Sequence, residues 1–175
     1  MRKTLIALLV AACAATGLVA CAKTPYVGGP YAPAGSVGRT ADPQDQARAY
    51  AVVLEALYRQ DTGLNGGTYL ALDLSQVQLA ETAPLVAQVR AFCASHGYTL
   101  MLDTFEGLQS KGYIKDLSFA DGFLVGFVDV SLTEDTLVTQ AQKWRSGLGA
   151  IGGKYTVAKR DGMWSITSVT GQWIS

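Results

Sequence analysis

The chain predicts an α+β fold, with N-terminal helices packed on a mainly antiparallel C-terminal β-meander. Three observations carry that expectation. Tyr50, Val53, Leu54, Leu57 and Tyr58 recur at the spacing of a core-facing helix. Strand-like runs fill the last third, beside the two-residue turn signals Asp121-Gly122 and Asp161-Gly162. Helical segments cluster early and strands late, the order of an α+β rather than an alternating fold. Residues 42–175 suffice for one domain with a sizeable core, and no internal repeat marks a second.

Taken in order, the chain starts with Arg2 and Lys3, an apolar run from Thr4 to Ala15, and small residues leading to a cysteine. That is the layout of an export signal. Leu18-Val19-Ala20-Cys21 resembles the lipobox of bacterial lipoproteins, a resemblance that covers residues 1 to 21. It implies cleavage before Cys21, diacylation of its thiol, and acylation of the new amino end. Residues 1–20 are therefore expected to be a signal peptide, and Cys21 the lipidation site. The apolar run falls short of the roughly 20 residues that span a bilayer and is broken by Thr16 and Gly17. Two acyl chains, at about 0.8 kcal/mol per buried CH₂, suffice for stable anchoring. Ala22 after the cysteine resembles the class sorted to the outer membrane, facing the periplasm, in a host with two membranes.

Residues 21–41 read as a lipidated tether. Pro25, Gly28-Gly29-Pro30, Pro33 and Gly35 leave too little apolar surface to order the segment, whose reach is roughly 25 Å. Asp42-Pro43 then opens the domain, the aspartate as a cap and the proline at the first helical position. The helix is expected to stop by Gly63 and Gly66-Gly67. Leu70, Leu72 and Leu74 alternate as a strand requires. Leu85, Val86, Val89, Phe92 and Cys93 form the face of a second helix over about 82–96, with Gly97 placed for a left-handed cap. Residues 98–102 read as a short strand. Asp103-x-x-Glu106 resembles a capping box for a short helix that buries Phe105 and Leu108 and stops at Gly112.

Phe123 to Leu132 is apolar on both faces and reads as a central strand. A turn at Asp161-Gly162 places Val157 opposite Ile166 and Lys159 opposite Trp164, so Tyr155, Val157, Trp164 and Ile166 share a face. This order, with the closing Arg160-Asp161-Gly162-Met163-Trp164-Ser165-Ile166, resembles the NTF2-like superfamily over residues 120–170. The resemblance implies helices packed into a curved antiparallel sheet that forms a cone with a pocket. The strand at 69–74, placed before a second helix, departs from that pattern.

Charge and composition exclude several functions. Without Arg2 and Lys3 the chain carries 12 basic and 14 acidic residues, too near balance for a nucleic-acid partner. Residues 41–135 hold 5 basic and 13 acidic residues and 136–175 hold 5 and 1, so the two regions are expected to neutralise one another across the fold. Cys93 is the one thiol left beyond the signal and anchor, which precludes an internal disulfide. It lies on an apolar helix face and reads as a small buried hydrophobe. His96 is the only histidine, so no multi-histidine metal site exists; its place suits a cap on the last helical turn. Gly147-Leu148-Gly149-Ala150-Ile151-Gly152 matches a dinucleotide fingerprint in letters, yet a strand rather than a helix follows it, so a hairpin tip is expected. No Gly-x-Ser-x-Gly elbow occurs. Asp73, Asp103, Glu106 and Asp129 stand near apolar segments without a motif that joins them.

Lys143, Trp144 and Arg145, followed by Gly149 and Gly152 in a glycine-rich loop, are the candidate partner contacts. Tryptophan and arginine anchor interfaces, and glycine lets a backbone come close. Trp144 also fits a core position. The sequence thus points to a membrane-anchored envelope lipoprotein whose domain binds an envelope protein, a peptide or a small molecule without catalysis, cofactor or metal. The alternative is a hydrolase with converging carboxylates and His96 in a pocket of the same domain.

Overall fold

The computed structural model describes residues 42–175; the expected signal, Cys21 and tether lie outside them. Asp42 accepts a hydrogen bond from the Gln44 amide and starts α1 (Pro43–Arg59). Tyr50, Val53, Leu54 and Leu57 are all buried, as their spacing predicts. A single 3-10 turn (Thr62–Leu64) leads to β1 (Tyr69–Gln76). Then come α2 (Ala83–His96), capped by Gly97 at φ 78°, and β2 (Thr99–Leu102). A short helix α3 (Phe105–Ser110) precedes four long strands: β3 (Gly122–Leu132), β4 (Thr136–Ser146), β5 (Gly149–Arg160) and β6 (Met163–Ile174).

All six strands form one mixed sheet in the order β2-β1-β3-β4-β5-β6. The β3–β6 meander is antiparallel, but β1 runs parallel to both β2 and β3. The expected meander is therefore only part of the sheet. Helix α2 is the crossover from β1 to β2, a connection that parallel neighbours require. Asp121-Gly122 is not a hairpin turn: the Asp121 carbonyl accepts from the Thr68 and Tyr69 amides, joining the starts of β1 and β3. The cap of α3 is Thr104, whose hydroxyl accepts from the Gly107 amide, and not Asp103. Asp103 instead accepts from the Lys111 ammonium at 2.5 Å.

The β5–β6 hairpin has the register read from the sequence, Val157 opposite Ile166 and Lys159 opposite Trp164. Asp161 and Gly162 take φ 51° and 76° in its turn, the double left-handed geometry that matches strand twist.

Alternate residues of each strand face opposite sides of the sheet, and both sides carry a core. On one side, α1 and α2 cover Leu70, Leu72, Phe123, Val125, Phe127, Leu137, Tyr155, Val157 and Trp164. On the other, Phe105 and Leu108 of α3 pack with Ile114 and Phe119 over Ala71, Leu124, Trp144 and Ala150. This second core covers only one end of the outer face. The sheet ends in β6, an edge strand whose pairing with β5 shifts register twice, with Gly171 at φ 57° beside one shift.

Candidate functional site

The sheet register assembles the site on the uncovered part of the outer face. One cross-strand row runs Val128–Gln140–Lys154–Thr170 and the next Gly126–Gln142–Gly152–Trp173. The glycines of the second row leave a hollow on either side of Gln142. Trp173 lies over one of them: a Cβ on Gly152 would sit 2.6 Å from its indole. The resulting pocket has a volume of about 290 Å³ and is bounded by Gln140, Gln142, Lys154, Thr170 and Trp173. A hollow of about 440 Å³, lined by Gln60, Asp61, Gly152 and Ile174 among others, meets it at Trp173, the one lining residue that the two share.

None of the side chains of Gln140, Gln142, Lys154 or Thr170 makes a hydrogen bond or ion pair among the described residues. Gln142 is nevertheless only 8% exposed. Its amide is not among the buried groups left without a partner, which among the described residues are Asp129 Oδ1 and the indole nitrogens of Trp144 and Trp164, so its polar atoms still reach water at the pocket floor.

The helix side differs. Lys143 is 0% exposed, and its ammonium donates to the carbonyls of Gln60 (2.5 Å) and Asp61 (3.0 Å) and to Asn65 Oδ1 (2.7 Å). It thereby closes the C-terminal end of α1, where a cation also meets the negative end of the dipole. Burial pulls its pKa down to about 8. Tyr50 donates to Asp129 Oδ2, which also accepts from the Gln78 amide at 2.8 Å. Burial raises the Asp129 pKa above the ordinary carboxylate value. Lys159 donates to Asp45 at 2.6 Å, an ion pair joining the basic C-terminal region to the acidic N-terminal one.

The five candidate partner contacts do not form a recognition edge. Lys143 is internal, and Trp144, 1% exposed, packs edge-to-face on Phe105 at 4.9 Å. Arg145 donates to the Ala120 carbonyl at 3.1 Å, and its guanidinium takes the space that a side chain at position 66 would need. Gly149 closes the β4–β5 turn where a Cβ would meet Ser146 at 2.8 Å. Only Gly152 belongs to a pocket, as the surface under Trp173. The glycine-rich segment is a hairpin tip, as its sequence predicts, with Leu148 91% exposed.

The residues of the hydrolase alternative stand apart. His96 Nδ1 lies 2.9 Å from the Phe92 carbonyl, and its ring stacks on Phe92. Cys93 is buried, which pushes its thiol pKa up to about 11. Asp129 faces Tyr50 and Gln78 on the helix side, while Asp73 Oδ1 accepts from the Ser75 amide on the outer side. No group of three or more His, Cys, Asp or Glu positioned to hold a metal occurs among the described residues.

Sequence reading missed Gln140, Gln142, Lys154 and Thr170, and left Trp173 undecided between a core position and a contact. The available signal was glycine placement: Gly152-Gly153 in β5 and Gly171 in β6 interrupt runs of strand formers two residues from a tryptophan. Strand glycines of this kind mark close approach of another group. Comparison with family models, with curated proteins and with solved structures gives no match for this chain.

Proposed function

We propose that the protein is a membrane-anchored envelope lipoprotein whose 42–175 domain is a non-enzymatic binding module for a small ligand. The observation that carries the binding role is the outer-face pocket, where four polar side chains without internal partners meet one half-buried tryptophan. Concave sites with a few convergent polar groups are the usual form of a small-molecule site. A polar group with no internal partner there costs stability unless a ligand or water pairs it.

The anchor rests on the sequence: the charged start, the apolar run and Leu18-Val19-Ala20-Cys21. No helix of the described residues is long and apolar enough to cross a membrane, so attachment falls to Cys21 in this reading, with residues 21–41 as the tether. The NTF2-like resemblance draws support from the antiparallel β3–β6 meander with α1 packed on β4, β5 and β6. The parallel β1 and β2 depart from it, and the pocket lies on the sheet face away from α1.

Two measurements test the proposal. Intact-mass analysis of detergent-extracted protein is expected to show an acylated chain beginning at Cys21, and Cys21→Ser to leave unprocessed precursor. A fragment titration followed by amide NMR is expected to shift resonances of Gln140, Gln142, Lys154 and Trp173 together. Shifts confined to other surfaces would refute this pocket as the binding site.

A further inference from the structure

The pocket's composition narrows the chemistry of its ligand. We infer that it takes a single sugar ring bearing one carboxylate, an inference that rests on the binding-module reading above. Trp173 supplies an apolar plate held flat by the glycine beneath it, and the C–H face of a pyranose ring stacks on such a plate while its hydroxyls point outward. Gln140 and Gln142 each offer a donor pair and an acceptor, and Thr170 offers both in one hydroxyl. Vicinal hydroxyls, themselves donor and acceptor, satisfy that set. A hydrocarbon or plain aromatic ligand would strip water from the Gln142 amide without giving it a partner.

Charge limits the choice further. Lys154 is the only charged side chain lining the pocket, and it has no ion-pair partner among the described residues. No carboxylate lines the pocket, so an amino acid, a peptide amino end or a polyamine finds nothing there to pair its ammonium. The nearest acid in the row, Asp73, stands beyond Gly126, two strands from Gln142. The ligand's acidic group therefore lies at the Lys154 end, in the row of Gln140 and Thr170. A volume of about 290 Å³ stands at the small end of ligand sites, roughly 300–1,000 Å³, and suits one ring.

Tryptophan fluorescence of the full chain provides the test. The protein is held in a polyoxyethylene detergent, because a glucoside head group would compete. Trp144 and Trp164 are buried, so a ligand-dependent change reports Trp173. The probes are glucuronate, glucose, benzoate, glycine and a disaccharide ending in glucuronate. Glucuronate is expected to give a saturable change, with glucose about tenfold weaker for want of one charge-assisted hydrogen bond. Lys154→Ala is expected to cost glucuronate most of its advantage over glucose, with a smaller loss for glucose itself, and Trp173→Ala, read by titration calorimetry because it removes the reporting indole, to abolish binding of both. If the disaccharide binds more tightly than the monosaccharide, the ligand is the end of a glycan; the reverse order assigns a free sugar acid. Benzoate or glycine binding as tightly as glucuronate, or no response to glucuronate, overturns the inference. The fragment titration decides separately whether the binding module stands.

Discussion

The two faces of the sheet treat their polar residues in opposite ways. On the helix side three buried polar side chains are tied to distant elements: Lys143 to the end of α1, Asp129 through Oδ2 to Tyr50 and Gln78, and Tyr155 to Gln60 at 3.0 Å, although the Trp164 indole N–H there has no partner. On the outer face Gln140, Gln142, Lys154 and Thr170 are tied to nothing within the described residues. The pairs of the first face hold the fold in one arrangement, since breaking any of them strands a buried partner. The unpaired groups of the second contribute little to folding and, in the proposed function, are the ones that meet a ligand. A buried cation such as Lys143 therefore reads as structure, and a nearly buried, unpaired amide such as Gln142 as a site.

The sharpest way to break this comparison is to hollow out a core. Trp144→Ala removes the largest fully buried side chain and is expected to destabilise the protein by about 3–5 kcal/mol, measured by denaturant melts of the full chain. A small loss would mean that the second core does not hold the outer face. Lys143→Met keeps the bulk and removes the donor from three acceptors at the end of α1. The expected loss is about 1–3 kcal/mol, larger than the loss of about 1 kcal/mol for Asp42→Ala, which removes only an N-cap. Equal losses would show that Lys143 is no more than a packing group.

Asp129 sharpens the contrast through pH. Burial raises its folded-state pKa, so between the ordinary carboxylate value and the raised one the folded protein holds a proton that the unfolded chain has lost. Its favourable contribution is complete below the ordinary value and falls away as pH rises through the raised one. Melting temperatures of wild type and Asp129→Asn across pH 4 to 8 are expected to lie together at the acid end and to separate as pH rises through that window, the wild type falling below the permanently neutral variant, if this carboxyl is the source. A difference independent of pH would assign the burden elsewhere. The smallest effects belong to the outer face. Gln142→Ala and Thr170→Val are each expected to change stability by no more than about 0.5 kcal/mol while weakening ligand binding. Losses comparable to that of Lys143→Met would erase the distinction between the faces.

What the sequence revealed follows the range of the interactions involved. Helix α1, its Asp42 cap and the register of the Asp161-Gly162 hairpin are local, and each was legible from a few neighbouring residues. The parallel pairing of β1 with β2 and β3 joins segments far apart in the chain, and no local pattern names the partner. Asp121-Gly122 misled for that reason: the same dipeptide that makes a turn here bonds to Thr68 and Tyr69. Lys143 was nearer to hand. Leu137 and Ala141 place odd-numbered residues of β4 on the helix side, so a strand reading puts Lys143 inside and Trp144 on the opposite face. The pocket was legible only as a glycine pattern, because its two rows draw on strands whose alignment no short stretch encodes.

The edge of the sheet carries a consequence for behaviour in solution. Met163 to Ser175 contains no charged residue and no proline, the devices that commonly keep exposed strands from stacking onto one another. Here the guard is shape: two register shifts and the left-handed Gly171 break the regular ladder that an incoming strand needs. Self-association through this edge is thus held off by geometry rather than by repulsion. Added salt, which screens charge, should leave the protein's tendency to aggregate almost untouched, whereas straightening β6 should expose an uninterrupted template for fibrous growth.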